Sequence, residues 1–122
     1  MRIAYCIHSL HLFGGIERVL SIKANYLADV YSYDIHIITA DLKGRRPHFR
    51  LSDKITLHDV GISEKFRVNA YGRGLDRILN EIRPDICVSL GGNDIFCLPD
   101  CTDGSIKVSE FHFSHDKYFI KY

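Results

Sequence analysis

GGIERVL, residues 14–20, opens a predicted helix directly after a predicted strand over residues 2–9. Apolar side chains recur at helical spacing from Ile16 to Tyr31, which predicts an amphipathic helix that ends near Val30. The strand is a short apolar run, as is typical of a strand covered on both faces of a parallel sheet. A strand, a glycine-containing turn and a helix in this order predict an α/β domain.

The rest of the chain continues this alternation. Further strands are predicted over residues 34–40, 55–60, 85–90 and 106–111, with a second helix from about residue 70 to Arg83. Pro84 ends that helix because the residue before a proline avoids the helical region. Residues 93–99 are predicted to form a short helix or turn, and residues 41–53 a polar, basic loop. The order predicts a Rossmann-like, doubly wound and mainly parallel sheet of about five strands in one domain, residues 1–122.

Composition limits the function classes. The 122 residues are 46% hydrophobic and 25% charged, the ordinary globular balance. With 16 basic and 15 acidic residues the net charge is +1, which lacks the basic excess of a dedicated nucleic-acid binder. No apolar run approaches the roughly 18 residues of a membrane span, and the N-terminus lacks a signal-peptide pattern. Because Cys6 and Cys87 fall in predicted buried strands, we expect a reducing, cytoplasmic compartment.

Two glycine pairs follow the first and the fourth predicted strands. In a parallel α/β sheet, ligands bind beyond the carboxyl ends of the strands where the strand order reverses, usually between these two strands. Gly14 and Gly15 begin a helix, whose free amides and dipole favour a phosphate. The alternative is a tight turn without a ligand. The sequence lacks both the G-x-G-x-x-G fingerprint and the P-loop pattern, which argues against nicotinamide, flavin and P-loop chemistry, so we expect no cofactor.

The segment GGND, residues 91–94, repeats this arrangement after the fourth predicted strand. Asn93 or Asp94 is expected to cap the helix that follows, and contact with a sugar hydroxyl is the sharper alternative. Together with Gly91 and Gly92, these residues are the predicted acceptor or sugar contacts.

The fifth predicted strand ends in SEFHFSH, residues 109–115. Strand alternation puts Glu110 and His112 on one side of the strand, at the carboxyl edge of the sheet. A histidine there can hydrogen-bond a sugar or a leaving group, and a nearby carboxylate favours its protonated form. The pair can equally hold the loop in place. Cys97 and Cys101 with two histidines suggest zinc, but the spacing is wrong for a zinc finger, so we expect no metal site.

A basic run, KGRRPHFR, occupies residues 43–50. Such runs are usually solvated loops, and the alternative is contact with anionic lipid headgroups or an acidic acceptor. The sequence therefore also allows a peripheral contact with the inner membrane.

With these residues in view, the chain resembles the N-terminal domain of GT-B-fold glycosyltransferases, specifically the retaining enzymes of family 4 (group 1). The resemblance covers almost the whole chain, and its double-glycine segment is fairly specific. The matching pieces are MRIAY (1–5), GGIERVL (14–20), Leu27-Ala28, DIHIIT (34–39), IRPDI (82–86) and EFH (110–112).

The resemblance implies a two-domain enzyme that moves a sugar from a nucleotide-sugar donor to a glycan or lipid-linked acceptor, as in bacterial polysaccharide or lipopolysaccharide synthesis. This half mainly holds the acceptor. The C-terminal domain, which holds most of the donor, does not occur in these 122 residues, so we expect the chain alone to be inactive. A non-catalytic module that binds a nucleotide or a phosphosugar is the alternative.

The resemblance also implies which residues of this chain form the site. The resemblance places Gly14 and Gly15 against the donor diphosphate, and His112 against the transferred sugar, with Glu110 as its acidic companion. Glu110-Phe111-His112 departs from the more frequent adjacent Glu-His arrangement, which leaves His115 as the second candidate. The family pattern implies no metal.

Overall fold

The computed structural model describes residues 1–12, 14–63 and 67–110, except for the side chain of Asn93. Two short 3-10 helices, Asn93–Phe96 and Leu98–Asp100, follow the fourth strand. The other elements, in chain order, are β1 (Arg2–Ile7), α1 (Gly15–Asp29), β2 (Asp34–Thr39), β3 (Thr56–Asp59), α2 (Val68–Ile82), β4 (Ile86–Ser89) and β5 (Ile106–Ser109). Among the described residues, no helix combines the length and the apolar character needed to cross a bilayer.

The five strands form one parallel sheet in the order β3-β2-β1-β4-β5. The chain builds outward from β1 to β2 and β3, and then returns to place β4 on the other side of β1. Cys6 of β1 pairs with Ile38 of β2 and with Ser89 of β4, so the two halves of the sheet meet at β1. The predicted Rossmann-like, parallel sheet of five strands is confirmed.

Each face of the sheet carries one helix, because alternate side chains of β1 point to opposite sides. Tyr5 and Ile7 belong to the core under α1, to which the helix contributes Leu20, Ala24 and Ala28. Ala4 and Cys6 belong to the core under α2, which supplies Tyr71, Leu75, Ile78, Leu79 and Ile82. Burial on both faces explains why β1 reads as a continuous apolar run rather than an alternating one.

The ends of the elements follow local chemistry. Arg83 caps α2 in the left-handed conformation, with φ 55°, and donates its backbone N–H to the Leu79 carbonyl. Pro84 follows, so the helix ends where the sequence predicts. The helix begins at Val68, two residues before the predicted start, and β5 ends at Ser109 rather than at Phe111. Strand β5 is an edge strand whose Ile106 is 65% exposed, so a pattern of buried residues does not mark where the strand ends.

Candidate functional site

The strand order reverses between β1 and β4. The two strands pair from Ile3–Ile86 to Cys6–Ser89, and the Leu90 N–H donates to the Cys6 carbonyl at 3.1 Å just past the paired strands. After β1 the chain enters α1 on one face of the sheet. After β4 it enters the 3-10 helices, whose Leu98 packs into the core of the opposite face. This edge is therefore the place where doubly wound sheets have their ligand crevice.

The first glycine pair begins α1. Gly14 is the N-cap, with φ −76° and ψ 173°, and no side chain caps the helix. A Cβ atom on Gly15 would meet no atom within 4 Å, and the residue does not have positive φ. Neither the backbone nor the packing of Gly15 therefore requires glycine. The residue leaves open space beside the free amides of the first helical turn, where an anion is stabilised.

Glu17 already lies at this helix terminus. Its Oε2 atom is 2.6 Å from the position that a Cβ on Gly14 would take, so the carboxylate turns back toward the first amides. A carboxylate in the first turn stabilises the helix through the dipole. A phosphate that binds here must displace Glu17, because two anions at one helix terminus repel each other.

The second glycine pair differs from the first in its backbone conformation. Gly91 has φ +88°, a conformation that favours glycine, and its Cβ position would lie 3.9 Å from the Glu110 carbonyl oxygen. Gly92 is the N-cap of the first 3-10 helix, and no side chain caps this helix. The expected cap by Asn93 or Asp94 is wrong, because both lie inside the helix. The Asp94 side chain is fully buried, so a contact with a sugar hydroxyl requires local rearrangement.

Glu110 directly follows β5 and joins three elements. Its N–H donates to the Ser89 carbonyl at 2.8 Å, and its carboxylate accepts a hydrogen bond from Lys23 Nζ of α1 at 2.6 Å. The Lys23 ammonium lies 5.9 Å from the centre of the Tyr5 ring. Burial, and then the negative charge of Glu110, raise the pKa of Tyr5 to about 12. Glu110 is thus ion-paired at the α1 side of the edge.

His112 and His115 lie outside the described residues. Their place beside Glu110 and their contact with a sugar stay predictions.

The sequence reasoning missed two polar residues at the end of β1. Ser9 is buried, and its hydroxyl hydrogen-bonds His11 Nδ1 in the loop that leads to Gly14. The only signal in the sequence is a pair of polar residues between an apolar strand and a glycine pair. The pair links the residue after β1 to the loop by a side-chain hydrogen bond.

The basic loop is attached to this same edge. His48 donates its backbone N–H to the Leu10 carbonyl at 2.8 Å, and the Asn25 side-chain amide of α1 donates to the Arg50 carbonyl at 2.9 Å. These bonds tie the loop to the segment that leads to the first glycine pair. Within the described residues, its four cationic side chains are exposed and form no ion pair: Lys43, Arg45, Arg46 and Arg50. The loop thus adds positive charge near the crevice.

A cavity of about 510 Å³ lies elsewhere, between the first half of α2 and the 3-10 helices. Asn69, Arg73, Phe96 and Cys97 are among its lining residues, and no glycine of either pair contributes. Burial, and then the charge of Asp76, raise the pKa of the Cys101 thiol in its wall to about 12, which disfavours the thiolate. In the part of the chain that the structure describes, no three histidine, cysteine or acidic side chains converge as metal ligands.

Comparison with known proteins adds no identity to this geometry. No protein-family model matches the chain, and no curated protein matches its sequence. The resemblance to glycosyltransferases therefore stays a prediction from the motifs.

Proposed function

We propose that the chain is the N-terminal, acceptor-side domain of a retaining glycosyltransferase, which moves a sugar from a nucleotide-sugar donor to a glycan or lipid-linked acceptor. Bacterial polysaccharide or lipopolysaccharide synthesis is the proposed setting. The observation that carries the proposal is the sheet order: β1 and β4 are neighbours at the reversal, and a glycine pair follows each of them. This is the edge at which doubly wound sheets bind nucleotides and sugars.

The donor diphosphate would lie at the N-terminus of α1, beside Gly14 and Gly15. There the free amides and the nearby basic loop stabilise the charge of the leaving diphosphate without a metal ion. Glu17 must swing away, so donor binding and the position of this carboxylate are coupled.

The acceptor and the transferred sugar would lie toward the second glycine loop. In this proposal His112 contacts the sugar, His115 is its substitute, and Glu110 acts with them after release from Lys23. Gly91, Gly92, Asn93 and Asp94 form the wall on the β4 side.

We further propose that the protein works at the cytoplasmic side of a membrane, where lipid-linked acceptors are available. The support is the basic loop, residues 43–50, whose exposed cations suit anionic headgroups.

The Gly15→Trp variant tests the proposal, with protein expressed from the complete coding sequence. A Cβ on Gly15 meets no atom within 4 Å, so the indole leaves the backbone into open space at the proposed diphosphate position, and a wild-type circular dichroism spectrum verifies the fold. Release of nucleoside diphosphate from a panel of nucleotide-sugars should fall at least 100-fold. Val30→Trp is the matched control, because Val30 is 60% exposed at the opposite end of α1. Wild-type turnover in Gly15→Trp would overturn the assignment.

A non-catalytic module that binds a nucleotide or phosphosugar is the second candidate. The Lys23–Glu110 ion pair favours it, since Glu110, the one described candidate for catalysis, is already ion-paired. This alternative predicts that nucleotide-sugars bind and that Gly15→Trp abolishes binding, while no sugar transfer occurs with any acceptor. Transfer by the wild-type protein would exclude it.

A further inference from the structure

Two histidines face each other on the α2 side of the sheet, away from both glycine loops. His36 is the third residue of β2, and His58 is the third residue of the edge strand β3. His36 Nδ1 and His58 Nε2 are 2.9 Å apart, and the two rings are stacked with an interplanar angle of 23°. Both side chains are partly buried.

The second nitrogen of His36 faces an acidic side chain. Its Nε2 atom lies 3.0 Å from Asp34 Oδ1, and the other carboxylate oxygen accepts a hydrogen bond from Arg2 Nε at 2.6 Å. A carboxylate beside Nε2 favours the tautomer with the proton on that nitrogen. The Nδ1 lone pair of His36 is then directed toward His58. Nε2 is buried and forms no hydrogen bond among the described residues, so Asp34 acts on this ring through its charge. A carboxylate next to the outer nitrogen of a histidine is common at metal sites.

We propose that His36 Nδ1 and His58 Nε2 form a binding site for a divalent transition-metal ion of the zinc type, which imidazole ligands suit. Such an ion lies about 2.0–2.1 Å from each nitrogen. Tetrahedral ligation then requires a nitrogen–nitrogen separation of about 3.3 Å, which is roughly 0.4 Å more than in the metal-free pair. The two rings must rotate to supply this difference.

Metal binding at this site changes the position of one proton on His58. With the Nε2–H tautomer of His36, the His58 Nε2–H donates to His36 Nδ1 in the metal-free pair. When the metal binds, that proton moves to Nδ1 of His58, so the neutral pair releases no proton. The Glu81 carboxylate of α2 interacts electrostatically with His58 and adds negative charge beside the site. Water completes the coordination, since the described residues offer no third converging ligand.

Calorimetric titration of the 122-residue chain with Zn²⁺ tests the site. We expect binding near one to one, with affinity at least 10-fold weaker in His36→Gln and in His58→Gln. Asp34→Asn should weaken binding about 10-fold, because loss of a carboxylate beside a ligating histidine typically costs 10–100-fold. His48→Gln is the control, since this exposed histidine lies in the basic loop. Unchanged affinity in His58→Gln would overturn the proposal.

Two further variants address the other possible ligands. His112→Gln/His115→Gln and Cys97→Ser/Cys101→Ser should both retain Zn²⁺ binding. Loss of binding in either pair would instead place the ion at the cysteine–histidine set near the C-terminus and refute our site.

A measurement on the unmodified protein removes any ambiguity from misfolding. Zn²⁺ should shift the ring-nitrogen resonances of His36 and His58 together, while those of His8 and His48 stay in place. Saturating Zn²⁺ without a shift at either ring would contradict the proposal. The result is independent of glycosyl transfer, since this site and the crevice are on different strand pairs.

Discussion

Gly91 and Gly15 should respond oppositely to substitution by alanine. Gly91 has φ +88°, and the left-handed conformation costs an L-residue about 1–2 kcal/mol. Its Cβ would make only an ordinary contact at 3.9 Å, so strain alone sets the loss. Gly15 is the first residue of α1 with open space around it, and alanine in this compatible conformation should stabilise the protein by about 0.5–1 kcal/mol, because it restricts the unfolded chain. The free energies of unfolding of the two variants should therefore differ by about 1.5–3 kcal/mol.

Urea unfolding, followed by far-UV circular dichroism, measures this difference. With a denaturant slope of about 1.5 kcal/mol per M, the midpoints of Gly91→Ala and Gly15→Ala should be separated by about 1–2 M. A wild-type midpoint for Gly91→Ala would refute the described conformation of the β4 loop. A loss of stability in Gly15→Ala would show that the fold needs this glycine, and the argument that its space serves a ligand would fail.

Three further perturbations follow from the packing and the charges. Leu79→Ala, at a fully buried position under the sheet, should cost about 2–5 kcal/mol in urea unfolding, and a loss below 1 kcal/mol would contradict the core. The pKa of Asp103 is lowered, because burial raises it but hydrogen bonds, first from Lys107, outweigh this effect. Its stabilisation is therefore present above about pH 4 and is lost as the pH falls through its folded pKa. Asp103→Asn should flatten this acid limb of the stability profile, and an unchanged limb would exclude the role. Lys23→Met should lower the free energy of unfolding by less than about 1 kcal/mol, since the ion pair with Glu110 is partly exposed. A larger coupling energy in a double-mutant cycle with Glu110 would contradict this weak contribution.

Burial on both faces made the central strands predictable. Strand β1 has five consecutive buried residues after Arg2, and this pattern is visible as an apolar run in the sequence. Right-handed crossovers then constrain the sheet order, so the pairing of β1 with β4 could also be predicted from the order of the elements. Edge strand β5 was predicted too long because its side chains are largely exposed.

Contacts between distant parts of the chain were not predictable. The Lys23–Glu110 pair spans 87 positions, and the His36–His58 pair depends on the register between β2 and β3. The attachment of the basic loop to Leu10 is a backbone bond, which leaves no trace in residue type. The conformations of the two glycine pairs also differ, although their sequences are the same, because only Gly91 requires positive φ.

The most direct test of the central claim is an amide-resolved NMR titration of the protein expressed from the complete coding sequence, with nucleotide-sugars and with the free nucleoside diphosphates. The account predicts shifts that cluster at Gly14, Gly15, Gly91 and Gly92 and are absent in Gly15→Trp. A silent spectrum at millimolar ligand, or shifts confined to the cavity between α2 and the 3-10 helices, would contradict it.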